Sequence, residues 1–232
     1  MRQQSFPLMI FAAGFGTRMG ALTADRPKPL IPVAGVPLID RALALARAAG
    51  AAPVVANTHY LGRQIAAHLA GTGVAISDEP GEILETGGGL RKALPLLGAG
   101  PVMTLNPDAV WRGPNPLQVL ATAWDADRMD ALLLVQAAAR VGGRGGRADF
   151  ALDAEGRLRR DRTPGGVVYL GAQILRPDGL HDIPERAFSL NLLWDRMIAQ
   201  GRAYAAIYDG DWCDVGSPEG LRAAETMLAG TD

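Results

Sequence analysis

The sequence predicts an α/β fold built on a mostly parallel central sheet with helices on both faces. Three observations predict it. Short, nearly continuous apolar runs recur along the chain; amphipathic helical segments separate them; and the most distinctive polar stretches come directly after apolar runs. Uninterrupted apolar strands mark a sheet covered on both sides. In such sheets ligands bind beyond the C-terminal ends of the strands.

Taken in order, residues 8–13 (LMIFAA) read as a buried strand that runs into the glycine loop GFGTRMG. A helix follows over 37–49: Pro37 suits its first turn, Leu38, Ala42, Leu45 and Ala49 share a face, and Gly50 suits its end. Strands are then expected at 54–57, 74–77, 102–106 and 131–136, alternating with helices at 61–69, 88–97 and 116–124. Beyond residue 140 the texture changes. VGGRGGRAD is a mobile loop or a boundary, FALDAEGRLRR reads as a hairpin around Asp153–Gly156, and GGVVYLGAQIL is a strand. SLNLLWDRMIAQG is a helix, AYAAIY a late strand and DGDWCDVGS a loop. Pro218 opens a terminal helix for which Ser217 is a good cap. With no internal repeat, the expectation is a single domain over 1–232, in which a small β-rich portion from 141 to 232 completes a site built mainly by 1–140.

Composition excludes several roles. With 23 basic and 24 acidic groups the net charge is -1, so there is no polybasic footprint for nucleic acid. Hydrophobic residues make up 48%, too many for a disordered chain. The apolar runs fall well short of the roughly 20 residues a membrane-spanning helix needs. The N-terminal apolar stretch ends in a glycine loop and not in a cleavage pattern, so a cytoplasmic location is expected. One cysteine, Cys213, forms no internal disulfide, and His59, His68 and His181 show no metal-site spacing. No long exposed apolar helix calls for a partner, so a monomer is expected.

The basic residues are lopsided. Only Lys28 and Lys92 are lysines. Lys28 stands between Pro27 and Pro29, a stiff presentation for one point charge, whereas Lys92 lies in a helical stretch and is expected to face solvent. Upstream, Gly14 and Gly16 permit either a plain tight turn or close backbone approach to a phosphate. Thr17 adds a hydroxyl, and Arg18 a planar fork of donors suited to phosphate oxygens. The loop is not GxxxxGK[ST]. It also lacks the third glycine of a dinucleotide fingerprint, since Met19 stands there, which argues against a dehydrogenase. Asp108, in N106-P107-D108 after an apolar strand, is either a turn aspartate or an oxygen ligand for a divalent cation. Asp214 lies more than 100 residues later, and spacing alone does not bring the two together.

The stretch AAGFGTRM…RPKPLIPVAGVPLI resembles the signature of the sugar-1-phosphate nucleotidyltransferases. The resemblance implies a Rossmann-like α/β fold and transfer of a nucleotidyl group from a nucleoside triphosphate to a sugar 1-phosphate, with release of pyrophosphate. It implies that Ala12, Ala13, Gly14, Gly16 and Thr17 hold the nucleotide, that Arg18 and Lys28 meet phosphate charge, and that Asp108 and Asp214 (in W-x-D-V-G-S-P) hold Mg2+. Asp108 is thereby catalytic as well as a metal ligand. Pro107 departs from the family's usual glycine and alters the backbone contact there.

E85-T86-G87-G88-G89 and N57-T58-H59-Y60 resemble most the subgroup that uridylylates N-acetylmuramate 1-phosphate in cell-wall recycling. UTP is therefore the favoured triphosphate. Gly87 and Gly88 are then expected against the nucleotide, and Asn57, Glu85, Thr86, Gly171 and Gln173 against the sugar. Arg144, Arg147 and Asp149 belong either to a lid or to a solvated loop; His59 is structural or a binding group, and Trp111 and Trp124 pack. The nucleophile is already charged, so electrostatic catalysis without a general base or covalent intermediate is expected. Two other functions remain open: transfer to mannose or glucose 1-phosphate or to a phosphorylated amino alcohol, and nucleotide binding without turnover.

Overall fold

In a computed structural model, the residues described are 5–142, 147–161 and 165–230. The strands are β1 Leu8–Ile10, β2 Pro32–Val33, β3 Val36–Pro37, β4 Val54–Thr58, β5 Ala75–Asp78, β6 Val102–Leu105, β7 Ala109–Arg112, β8 Ala131–Ala137, β9 Ala151–Leu152, β10 Leu158–Arg159, β11 Val167–Leu175, β12 Ala203–Ile207 and β13 Asp211–Asp214. The helices are α1 Leu38–Ala48, α2 Gly62–His68, α3 Glu85–Leu97, α4 Pro116–Ala123, α5 Asn191–Ala199 and α6 Pro218–Ala229.

Seven strands form one sheet in the order β12-β8-β11-β6-β1-β4-β5. Only β11 runs against its neighbours, pairing antiparallel with both β6 and β8. The expected mostly parallel sheet is therefore present, and β11 and β12, both beyond residue 140, belong to it. The apolar runs are continuous because both faces are covered. In β1, Leu8 and Ile10 join one core cluster and Met9 joins another, as the twofold alternation of a strand requires.

Several expectations need correction. The ladder of β1 ends at Ile10, not residue 13, because the Ala12 amide leaves it for the Asn57 side chain. The third helix starts at Glu85, not residue 88, so the ETGGG run lies inside the helix and not in a loop. Asp211–Asp214, read as loop, is a strand whose partner, Ala109–Arg112, had no apolar alternation to announce it. The 150–160 hairpin is present, with Asp153 Oδ1 accepting from the amides of Glu155 and Arg157. Ser217 caps α6 as expected, accepting from the Gly220 amide at 3.2 Å.

Candidate functional site

The C-terminal ends of β1, β4, β5 and β6 open on one side of the sheet, and a cavity of about 310 Å3 lies there. The segment after β1 supplies one wall (Phe11–Gly14, Gly16–Arg18), with Lys28 and Pro29 beside it. Ile83, Glu85 and Thr86 supply the opposite wall, Asn106–Asp108 the floor, and Asn57 and Gly216 complete the lining. The volume lies at the lower end of what small-molecule sites usually offer, roughly 300–1,000 Å3.

The glycine loop has two different glycines. Gly16 has φ 65°, and a Cβ there would stand 2.9 Å from both Lys28 Cβ and Thr23 Cγ2. It is needed for the turn and for the approach of the Lys28 segment. A Cβ on Gly14 would meet no protein atom within 4 Å. Gly14 lines the cavity, and the space a side chain would take there is not filled by the protein.

The charged groups form two pairs. Lys28 Nζ lies 2.6 Å from Asp108 Oδ2, with the lysine side chain only 11% exposed. Arg18 Nη1 lies 4.0 Å from Asp214 Oδ2, and both side chains are open to solvent. The second pair, screened by water, contributes little to stability, about 0–1 kcal/mol. The two pairs are neighbours because β7 and β13 form a ladder in which Ala109 faces Asp214, extended by the Val215 amide donating to the Asp108 carbonyl at 2.8 Å. Gly216 keeps the second pair in place: a Cβ there would stand 2.7 Å from Asp214 Oδ2 and 2.8 Å from Arg18 Nη1. Next to Asp214, burial and, less so, that carboxylate push the Cys213 thiol above its ordinary value.

Two carboxylates with hard oxygens on adjoining backbone fit a divalent cation that also takes phosphate oxygens, as Mg2+ does. Among the described residues no group of three or more His, Cys, Asp or Glu side chains is placed to hold a metal by itself. The donor set accordingly suits an ion shared with a phosphate ligand better than a fully protein-caged one.

The second wall is set by the GGG run, but through protein contacts. A Cβ on Gly87 would stand 2.3 Å from the Phe188 ring, and one on Gly88 2.5 Å from the Arg186 carbonyl. The amides of both donate to the Phe188 carbonyl. Neither glycine lines the cavity. Thr86 does, while its hydroxyl accepts from the Leu190 amide at 2.9 Å and does not cap the helix. Glu85 lines the cavity with φ 58°, a conformation uncommon for a residue with a side chain. Such strain collects at functional sites.

Other expected contacts lie elsewhere. Gln173 is buried, donating to Thr104 Oγ1 and accepting from the Trp194 indole, and its neighbour Tyr169 is pushed up by burial. Gly171, with φ 87°, makes room for the Asn106 side chain. Asp214 and these two residues are not in the cavity lining. Of the loop candidates, Arg144 falls outside the described residues; Asp149 is tied to β11, its carboxylate accepting from the Tyr169 amide at 3.1 Å. His59 holds the Glu79 carbonyl through Nδ1 and meets Phe15 edge to face. Trp111 packs on Tyr208 and Trp212, and Trp124 on the main core. Lys92 is exposed, yet its ammonium donates to the Asp78 carbonyl.

Sequence reading missed three residues that shape the site. Arg91 donates to the carbonyls of Ile183 and Glu185 at 2.6 Å each and covers the Phe188 ring, fixing the segment against which the glycines pack. Asn106 lines the floor. Glu79 is buried between Asn57 and Leu84. Of the three only Asn106 stands between apolar flanks, Leu105 and Pro107; Arg91 and Glu79 each have a charged neighbour, Lys92 and Asp78, and look like ordinary surface residues in the sequence.

The family profile described as MobA-like NTP transferase domain matches residues 8–208. The N-acetylmuramate alpha-1-phosphate uridylyltransferase of Caulobacter vibrioides is 40% identical over 95% of this chain and 96% of its own length. The enzyme of the same name from Neisseria meningitidis serogroup B is 33% identical over 94% and 96%. Among solved structures, HddC from Yersinia pseudotuberculosis complexed with GMP-PN shares the fold at TM-score 0.76 and 20% identity, covering 96% of this chain and 99% of that one. A putative glucose-1-phosphate thymidylyltransferase from Bacillus anthracis in complex with a sucrose does so at TM-score 0.81 and 15% identity, covering 98% and 97%.

Proposed function

The chain belongs to the MobA-like NTP transferase family, and from that membership we propose that it transfers the uridylyl group of UTP to N-acetylmuramate α-1-phosphate, giving UDP-N-acetylmuramate and pyrophosphate in peptidoglycan recycling. Two relatives of that printed activity match nearly the whole chain, which supports this substrate pair over others. The observation that carries the reading is the convergence of Arg18, Lys28 and Asp108 on one cavity at the C-terminal strand ends, with Asp214 on the adjoining strand.

The chemistry follows from charge. A phosphate oxygen of the sugar 1-phosphate forms the new bond to the α-phosphorus as the bond to the bridging α–β oxygen breaks, and pyrophosphate leaves with that electron pair. The nucleophile is anionic, so no side chain need remove a proton. The difficulty is to hold anions together. Ala12–Thr17 would seat the nucleotide, with the space at Gly14 allowing close approach. Lys28 and Arg18 would neutralise phosphate oxygens, and Glu85 and Asn57 would face the sugar. Asp108 and Asp214 would hold Mg2+, which when bound supplies positive charge to the triphosphate and helps orient it.

No helix among the described residues is long and apolar enough to cross a membrane. The proposed enzyme works as a cytoplasmic monomer on two small anionic substrates. The test is a matrix of each nucleoside triphosphate with a panel of sugar 1-phosphates and Mg2+, following pyrophosphate release. Fastest release with UTP and N-acetylmuramate 1-phosphate is the expected result. Strong release only with another pair overturns the substrate assignment, and none with any pair favours a binding protein.

A further inference from the structure

Glu79 is 1% exposed, yet both of its carboxylate oxygens accept hydrogen bonds. Oε1 takes the Asn57 Nδ2 amide at 2.8 Å and Oε2 takes the Leu84 backbone amide at 2.8 Å. The other end of the Asn57 side chain, Oδ1, accepts from the Ala12 backbone amide at 2.7 Å. One relay therefore joins the start of the glycine loop to the residue preceding Glu85. Gly89 exists to admit it: a Cβ there would stand 2.8 Å from Glu79 Oε1 and 3.0 Å from Asn57 Nδ2.

The polarity of this relay is fixed at both ends by backbone donors, which cannot change role. Asn57 must turn its oxygen to Ala12 and so its NH2 to residue 79. Residue 79 must then accept on both sides. A carboxylate does this, and an amide of the same shape cannot, because one of its two ends is a donor. A buried donor facing a donor leaves both unsatisfied.

We propose that Glu79 is a positioning residue that, acting through Asn57, locks the Ala12–Gly14 wall and the Leu84–Glu85 wall of the cavity to each other, so that one side chain sets the spacing between the two substrates. The inference rests on the reading that these walls take the nucleotide and the sugar phosphate. It also explains a buried carboxylate that the transfer reaction itself does not use.

The test exchanges polarity without changing shape. E79Q places two donors face to face, and N57D places two acceptors face to face. In N57D/E79Q every donor again meets an acceptor. The carboxylate introduced at position 57 accepts from the Ala12 amide and from the amide NH2 introduced at position 79, whose own oxygen accepts from Leu84. Hydrogen exchange of the Ala12 amide, followed by NMR without substrates, is read beside KM and kcat for both substrates. E79Q is expected to speed Ala12 exchange and to raise both KM values by about tenfold, more than it lowers kcat. The double variant is expected to recover Ala12 protection and the nucleotide KM beyond either single variant, while the sugar KM stays raised because position 57 also faces the sugar. If E79Q fails to fold, recovery of folded protein with a protected Ala12 amide in the double variant supports the relay. A double variant with the Ala12 amide no better protected than in E79Q, or an E79Q indistinguishable from the parent, overturns it. Failure of the substrate assignment would show instead as a parent protein inactive on UTP and N-acetylmuramate 1-phosphate, with the exchange pattern unaffected.

Discussion

The backbone amide of Val215 donates to the carbonyl of Asp108 at 2.8 Å, which places the carboxylates of Asp108 and Asp214 on adjoining backbone although more than 100 residues separate them in sequence. D108N and D214N should each lower turnover by about 100-fold or more, the scale seen when one electrostatic contact to a transition state is removed. Stability should fall by only about 1 kcal/mol, since in D108N the side-chain amide oxygen still accepts from Lys28. Rates of pyrophosphate release beside urea melts check this, and near-parental rates in both variants would refute the metal assignment.

Gly14 and Gly87 should respond oppositely to alanine. G14A meets no protein atom and has no positive φ to relieve, so stability should stay within about 0.5 kcal/mol while the nucleotide KM rises. G87A drives a methyl group into Phe188 and should cost about 1–3 kcal/mol. Paired denaturation and kinetic measurements separate the two. A destabilised G14A with unchanged KM would mean that its space is not where the nucleotide lies.

Alkaline pH should weaken the fold through two tyrosines. Burial pushes Tyr208 up to about 12, with the Asp211 carboxylate adding to the effect, and burial raises Tyr169 further. Above the ordinary phenol value of 10.0 the unfolded chain releases these protons while the folded chain keeps them. The unfolded state then binds fewer protons, so stability falls as pH rises from about 10 toward 12. An ultraviolet titration, with Y169F and Y208F to assign the signals, should show Tyr169 and Tyr208 ionising later in the native protein than in urea. The same ionisation of Tyr169 and Tyr208 in the native protein as in urea would contradict this.

Loss of the cap on α6 should be felt as stability more than as chemistry. S217A removes the acceptor for the Gly220 amide and should cost about 1 kcal/mol. Asp214 is held by its own ladder to Ala109, so turnover should fall much less than in D214N. Comparable losses in the two variants would show that the cap positions the carboxylate.

The residues that line the cavity were legible wherever local rules sufficed. Gly14, Gly16, Arg18 and Lys28 lie within one short stretch, so their grouping needed only a tight turn and a stiff Pro-Lys-Pro presentation. Asp108 was marked by its place after a buried strand. The GGG run was also visible, but Gly87 and Gly88 were expected against the nucleotide and lie against protein instead. What approaches Gly87 and Gly88 is the 186–188 segment, held by Arg91 from a distant part of the chain, and no local pattern announces that partner. Gln173 was expected at the sugar from the family resemblance, and nothing local shows that its side chain is taken by Thr104 and Trp194.

By itself the sequence determined the α/β class, the order of most elements, the phosphate-suited loop and the cap of the last helix, because each depends on side-chain period, glycine freedom or a neighbour within a few residues. The tertiary structure decided that β13 pairs with β7 and so joins Asp214 to Asp108, that the glycines of α3 serve Phe188, Arg186 and Glu79, and that Glu79 ties Ala12 to Leu84. Those contacts join residues from separate strands and helices. Their energy is gained only when the sheet brings fixed backbone donors and acceptors face to face.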